Sequence, residues 1–105
     1  MALRIYILVA DDIPLGIAIN SVAHASMAVA LECKNDEIFK QYCDTSFKKI
    51  TCKVTRQQML DVTAEFTGND YIIVTESSLD HEITCVIFKP REEYPKQFKY
   101  FSLYK

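Results

Sequence analysis

An apolar stretch of 19 residues, from Ile13 to Leu31, constrains the fold more than any other feature of the sequence. It is long enough to span a bilayer, but Asn20, Ser21 and His24 interrupt it. Asn and His side chains are costly at bilayer depth unless they find internal partners. We therefore interpret the stretch as a helix buried within a small domain, and we expect no membrane insertion.

The first two predicted elements are a strand and this long helix. Leu3–Ala10 is short, aliphatic and rich in β-branched residues, which is typical of a strand buried on both faces. Two aspartates end the strand, and Pro14 can occupy the first turn of the helix that follows, over Leu15–Cys33. Apolar residues surround most of the helix circumference, which predicts packing on more than one side.

The middle of the chain alternates between helical and extended patterns. Asn35–Ser46 predicts a short helix, and the alternation within Phe47–Val54 predicts a half-exposed strand. Thr55 and Gln58 have the spacing of a capping box at the start of a further helix. Gly68 is predicted to end that helix as a left-handed cap.

The last third of the chain predicts a hairpin and an irregular tail. Tyr71–Thr75 and Glu82–Lys89 have strand composition, and the polar turn Glu76–His81 between them favours antiparallel pairing, because a parallel crossover needs about a dozen residues or more. The tail predicts a short helix near Lys96–Tyr100 and an extended end at Ser102–Lys105. Together the elements predict an α/β fold with a mixed sheet of about four strands packed with helices.

Composition limits the classes of protein that fit the chain. With 105 residues, 50% of them hydrophobic and 25% charged, residues 1–105 are predicted to form one domain. The net charge of −2 provides no general attraction to nucleic acid or anionic membranes. The cysteines form no C-x-x-C pair and no export signal precedes them, so we expect free thiols, a cytoplasmic location, and no bound metal or cofactor. These cysteines are Cys33, Cys43, Cys52 and Cys85.

Polar side chains at the end of the first strand and on the first half of the long helix form the candidate site. Ligands of open α/β sheets bind at the carboxyl ends of strands, where Asp11 and Asp12 lie. Asn20 and His24 are four residues apart and share a helix face, with Ser21 beside them. A histidine can act as general base or acid near neutral pH, and an amide or hydroxyl can orient a carbonyl or a water molecule.

A purely structural interpretation of the same residues remains open at this point. Asn20 could satisfy a buried backbone group, and His24 could be a hydrogen-bonded core residue. Asp11 and Asp12 could merely cap the helix.

The opening of the chain resembles the type 2 peptidyl-tRNA hydrolases, the archaeal and eukaryotic class. The similar residues are the strand Arg-Ile-Tyr-Ile-Leu-Val-Ala-Asp-Asp, which begins at Arg4, then Gly16 and the His24-Ala25 pair. The resemblance implies the fold of that family, a hydrolase activity on a tRNA-linked substrate, and site roles for Gly16, His24 and Asp12. It also implies an acidic residue at the end of the third strand, which falls on Thr75 or Glu76.

Two departures from the family pattern separate the functional hypotheses. Ile17 stands where the family has a functional Lys, and Ser21 stands where it has Gln. The spacing of Pro14, Gly16, Asn20 and His24 resembles an uncharacterised bacterial branch of the same fold more closely. The first hypothesis is a weak or altered-substrate hydrolase in which His24, Asp12 and Asn20 act on substrate, while Asp11, Gly16, Ser21 and Thr75 or Glu76 bind it. The alternative is a non-catalytic binding or regulatory domain for a tRNA-linked compound or another small molecule.

Two further features lead to weaker expectations. The run Asp80-His81-Glu82 resembles an acid–base cluster, although polar turns of this kind usually face solvent. Aromatic residues are concentrated near the end of the chain, and an apolar patch formed by them would favour a homodimer. These aromatic residues are Phe98, Tyr100, Phe101 and Tyr104.

Overall fold

The computed structural model describes residues 2–105, which form the three helices and five strands of an α/β fold. The helices are α1 (Leu15–Cys33), α2 (Glu37–Asp44) and α3 (Arg56–Thr63). The strands are β1 (Arg4–Ala10), β2 (Lys48–Val54), β3 (Tyr71–Glu76), β4 (Glu82–Phe88) and β5 (Ser102–Leu103). Two short 3-10 helices, Ser77–Leu79 and Lys96–Tyr100, lie in the β3–β4 turn and in the tail.

The sheet has the strand order β3-β4-β1-β2-β5 and is mixed, as predicted. β1 and β2 are parallel, while the β1–β4, β3–β4 and β2–β5 pairs are antiparallel. The predicted number of about four strands is one too few, because the extended end of the chain pairs Ser102 with Lys53 and Leu103 with Cys52. A strand of two residues is too short for alternation to reveal it.

Strand β1 is buried on both faces, which explains its nearly continuous apolar sequence. Its alternate side chains enter two cores, one beneath α1 and α2 and one beneath α3 and the tail. Ile5, Ile7 and Val9 lie in the first core, and Tyr6, Leu8 and Ala10 lie in the second.

Helix α1 has the predicted bounds, but the prediction that it packs on more than one side is wrong. Its buried residues form a single stripe, and the opposite face remains exposed because the sheet offers it only one surface. The stripe is Ala18, Ser21, Ala25, Val29 and Cys33. On the outward face, Leu15, Ile19, Met27 and Leu31 are 59–67% exposed. By length and composition alone α1 could cross a membrane, a test that core helices of soluble proteins also pass.

The helix termini confirm one predicted cap and correct another. The backbone amide of Gln58 donates to the Thr55 hydroxyl (3.0 Å), and the Gln58 side-chain oxygen accepts from the Thr55 amide (2.9 Å), which confirms the capping box. The prediction for Gly68 is wrong, because α3 ends at Thr63 and the backbone of Gly68 is not left-handed. The left-handed residues of the described chain are instead Phe47, Asp80 and His81.

The tail aromatics do not form the predicted apolar patch. Phe98 is 2% exposed and packs edge-on against Tyr6 and Phe88, with ring centroids 4.9 and 5.3 Å away. Phe101 and Tyr104 are partly buried against the two cores, and only Tyr100 is well exposed, at 85%. The tail is therefore part of the domain core rather than a surface that needs a partner.

The four cysteines are free thiols, as predicted, and three of them are buried in the domain. Burial raises the pKa of the Cys85 thiol to about 12. These thiols therefore act as small apolar side chains of the core.

Candidate active site

A polar cavity of about 350 Å³ lies between α1 and the end of β3. Its wall comes from the first half of α1, the last residues of β3 and the turn that follows. The lining residues are Asn20, Ser21, His24, Val74, Thr75, Glu76, Ser77 and His81. Five of the residues predicted for the site thus meet at one cavity, although they come from two distant parts of the chain.

Helix α1 presents Asn20 and His24 to this cavity, one turn apart. Both residues are exposed, and neither side chain forms a hydrogen bond with another residue among positions 2–105. The interpretation of His24 as a hydrogen-bonded core residue is therefore wrong. An accessible imidazole with both ring nitrogens open to solvent or ligand can accept or donate a proton.

Ser21 anchors α1 to the sheet beneath the cavity. Its hydroxyl donates to the hydroxyl of Thr84 (2.8 Å), which in turn donates to the carbonyl oxygen of Val74 (3.3 Å). Both hydroxyl residues are buried, and Thr84 occupies the irregular register between β3 and β4. Because the Ser21 hydroxyl donates its proton to Thr84, Ser21 holds α1 against the sheet. This contact fixes the position of Asn20 and His24 over the end of β3.

The last residue of β3 contributes the carboxylate of the cavity. Glu76 is half-buried, and its Oε1 atom accepts hydrogen bonds from the hydroxyl (2.9 Å) and backbone amide (3.3 Å) of Ser78. Thr75 precedes Glu76 and also lines the cavity. Both positions that could match the acidic residue of the family pattern therefore lie at the site. Only Glu76 carries a charge that can orient an imidazole, a water molecule or a ligand.

His81 is a cavity residue that sequence reasoning underestimated. It follows Asp80 in a left-handed conformation, with φ values of 61° and 54°, and its backbone amide donates to the Glu76 carbonyl oxygen (2.9 Å). This backbone conformation is uncommon for residues other than glycine, and such residues are often found at functional sites. The only signal in the sequence was the Asp80-His81-Glu82 run, since local patterns cannot show that this turn folds toward α1.

Asp11, Asp12 and Gly16 are not among the residues that line the cavity. The Asp12 carboxylate accepts from Nε of Arg56 (2.9 Å), and this hydrogen bond lowers the pKa of Asp12. Asp11 is exposed, its backbone amide donating to the Val54 carbonyl oxygen (2.9 Å), and Gly16 has open space around its Cα. The sequence predicted that Asp11 and Asp12 lie beside His24. In the structure the carboxylate that shares the cavity with His24 is that of Glu76.

Arg56 is held in place by partners at this end of the sheet. Its Nη2 atom lies 3.2 Å from a carboxylate oxygen of Glu82, and its Nη1 atom donates to the Ile83 carbonyl oxygen (2.6 Å). Together with Asp12, these partners tie the start of α3 to β4 and to the β1–α1 loop. The guanidinium is thus committed to structural contacts.

A second cavity, of about 320 Å³, lies on the same face of the sheet beside β2. It is lined by Ala18, Ile19, Val22, Thr51 and Tyr104. This groove is mainly apolar and has no carboxylate or imidazole, so it offers no group for acid–base chemistry near neutral pH.

Comparison with known proteins agrees with the architecture and with the resemblance of the first 30 residues. No curated protein matches the chain. The family model described as "Peptidyl-tRNA hydrolase PTH2" matches residues 3–101, which is nearly the whole chain. The match includes every strand up to β4 and all residues of the cavity. The chain therefore belongs to the peptidyl-tRNA hydrolase PTH2 family.

Proposed function

We propose that the protein is a slow or altered-substrate acyl hydrolase that acts in the cytoplasm. The observation that carries this proposal is the cavity in which Asn20, His24 and Glu76 meet. An imidazole, an amide and a carboxylate are the groups needed to activate water and to orient a carbonyl. Membership of the peptidyl-tRNA hydrolase family supports hydrolysis as the reaction type.

The reaction follows from the chemistry of these side chains. His24 takes a proton from a water molecule as its oxygen attacks the acyl carbon, and the amide of Asn20 donates to the carbonyl oxygen as negative charge develops there. The bond between the acyl carbon and the leaving oxygen then breaks, and the proton passes from His24 to that oxygen. One ester and one water thus become one acid and one alcohol.

The remaining predicted site residues take supporting roles in this proposal. Glu76 orients the attacking water or the His24 ring, and Thr75 contacts the substrate at the cavity rim. Ser21 positions α1 through Thr84. Asp11, Asp12 and Gly16 shape the β1–α1 loop.

Cleavage of peptidyl-tRNA itself is expected to be at least about 100-fold slower than by a family member that has the helix-borne Lys. Among the described residues no Lys or Arg lines the cavity, and Ile17 cannot replace a cation. Loss of one group that stabilises developing charge typically costs about 10²–10³ in rate. The two proteins are assayed in parallel on the same peptidyl-tRNA, and equal turnover would contradict this expectation.

The second candidate function is a non-catalytic binding domain. Ile17, one turn before Ser21 on α1, favours this alternative because it leaves the helix without the cation that the family pattern has at this position. The two functions differ in one measurement: a binding domain would hold an acyl ester in the cavity and release no acid from it over many hours.

A homodimer is also proposed, formed through the outward face of α1 rather than through the tail. That face is apolar and uncharged from Leu15 to Leu31, so two copies can meet across a two-fold axis without like-charge repulsion. Sedimentation over micromolar concentrations is expected to show the dimer, and Met27→Glu is expected to reduce it. A monomer at all these concentrations would contradict the proposal.

A further inference from the structure

We infer that the cavity selects small acyl substrates that carry an ammonium group and disfavours polyanions such as RNA. The acyl part of this inference rests on the proposed function, whereas the charge selectivity rests on the arrangement of charged residues around the cavity. The contrast with a nucleic-acid substrate makes the inference testable.

Carboxylates predominate at the end of the sheet where the cavity opens. Glu76 lies in the cavity wall, and His81 is flanked by Asp80 in the adjoining turn and by Glu82 at the start of β4. Asp11 and Asp12 follow β1 at the same end, but β1 is two strands from β3, about 10 Å, so they contribute less than the carboxylates beside the cavity. An ammonium group that enters the cavity therefore approaches a negatively charged region.

Arg56, a cation at the same end of the sheet, is already neutralised. It pairs with Asp12 (2.9 Å) and Glu82 (3.2 Å), so it has little capacity for a phosphate. Glu76, in contrast, forms no ion pair within residues 2–105, and its only described side-chain partner is Ser78. The carboxylate inside the cavity thus has no counter-ion among the described residues.

The lysines of β2 lie far from the cavity. Lys48, Lys49 and Lys53 are on β2, and β2 is three strands away from β3. Strands are about 4.8 Å apart, so this separation is about 14 Å, which exceeds the Debye length of about 8 Å at physiological ionic strength. These lysines therefore do not compensate the carboxylates for a ligand in the cavity.

The wall opposite Glu76 suits the other half of such a substrate. Asn20 and His24 face the cavity from α1 and can contact an acyl carbonyl while the carboxylate of Glu76 receives the ammonium. A free amino group next to the acyl bond that is cleaved is the feature of an aminoacyl compound. An N-blocked compound of the same shape lacks the positive charge.

The test compares L-phenylalanine methyl ester with N-acetyl-L-phenylalanine methyl ester at pH 6.5, where the free amine is protonated. Binding is measured by NMR titration of the intact chain, and hydrolysis is measured by methanol release. We expect the ester with the free amine to bind about fivefold more tightly, the effect of one partly exposed ion pair. A short RNA duplex added as competitor is expected not to displace it.

Two charge-matched variants locate the effect. Glu76→Gln keeps the carbonyl oxygen that accepts from Ser78 but removes the charge, and we expect it to abolish the preference for the free amine. Glu92→Gln changes the net charge equally at an exposed tail residue outside the cavity and is expected to keep the preference. Equal binding of the two esters, no binding of either, displacement by RNA, or an unchanged preference in Glu76→Gln would each overturn the inference.

Failure of the inference and failure of the proposed function give different results. Selective binding of the free amine without methanol release supports the inference and contradicts the hydrolase proposal. Methanol release from both esters at equal rates supports the hydrolase proposal and overturns the inference.

Discussion

Replacing His24 by alanine is expected to reduce hydrolysis about 10²- to 10⁴-fold, the contribution typical of a general base. The melting temperature is expected to change little, because His24 is exposed and forms no hydrogen bond within the described chain, and such surface substitutions usually change stability by less than about 0.5 kcal/mol. The measurement combines ester turnover with a thermal melt of the same preparation.

Lys34→Ala is the control for this variant, since Lys34 follows the last residue of the same helix, is exposed, and lies outside both the cavity and the proposed dimer face. It is expected to keep full turnover. A His24→Ala protein that retains turnover, or one whose melting temperature falls as in a core truncation, would contradict the assignment of His24 to the site.

The largest expected loss of stability comes from the tail. Phe98→Ala is expected to lower the free energy of unfolding by about 3–5 kcal/mol, the usual cost of removing a buried aromatic ring. Phe98 is 2% exposed and packs against Tyr6, Phe88 and Tyr94, so its loss opens a cavity between the sheet and the tail. Chemical denaturation of the variant and the parent protein measures the difference.

Tyr100→Ala tests whether this effect belongs to the position rather than to tail aromatics in general. Tyr100 is two residues away and 85% exposed, and its truncation is expected to change the free energy of unfolding by less than about 0.5 kcal/mol. If both variants lost the same stability, or if neither did, Phe98 would not be the residue that fixes the tail to the domain.

The site could be predicted only in part from the sequence. The i, i+4 spacing of Asn20 and His24 placed both side chains on one face of α1, because a helix has a fixed period. The carboxylate was assigned to Asp11 and Asp12, since they directly follow β1. The structure instead brings Glu76 to His24, and Asp12 pairs with Arg56, because pairing of β3 with β4 carries the end of β3 to the first half of α1.

The sequence by itself determined the elements whose signals are local. The apolar run of β1, the bounds of α1, the alternation of β2 and the capping box at Thr55 all follow from the side-chain periods of strands and helices or from contacts three residues apart. Tertiary structure alone decided which face of α1 remains exposed, where the tail aromatics pack, and that His81 lines the same cavity as His24. These features depend on contacts between residues far apart in the chain and on a left-handed turn at Asp80 and His81, neither of which leaves a periodic signal in the sequence.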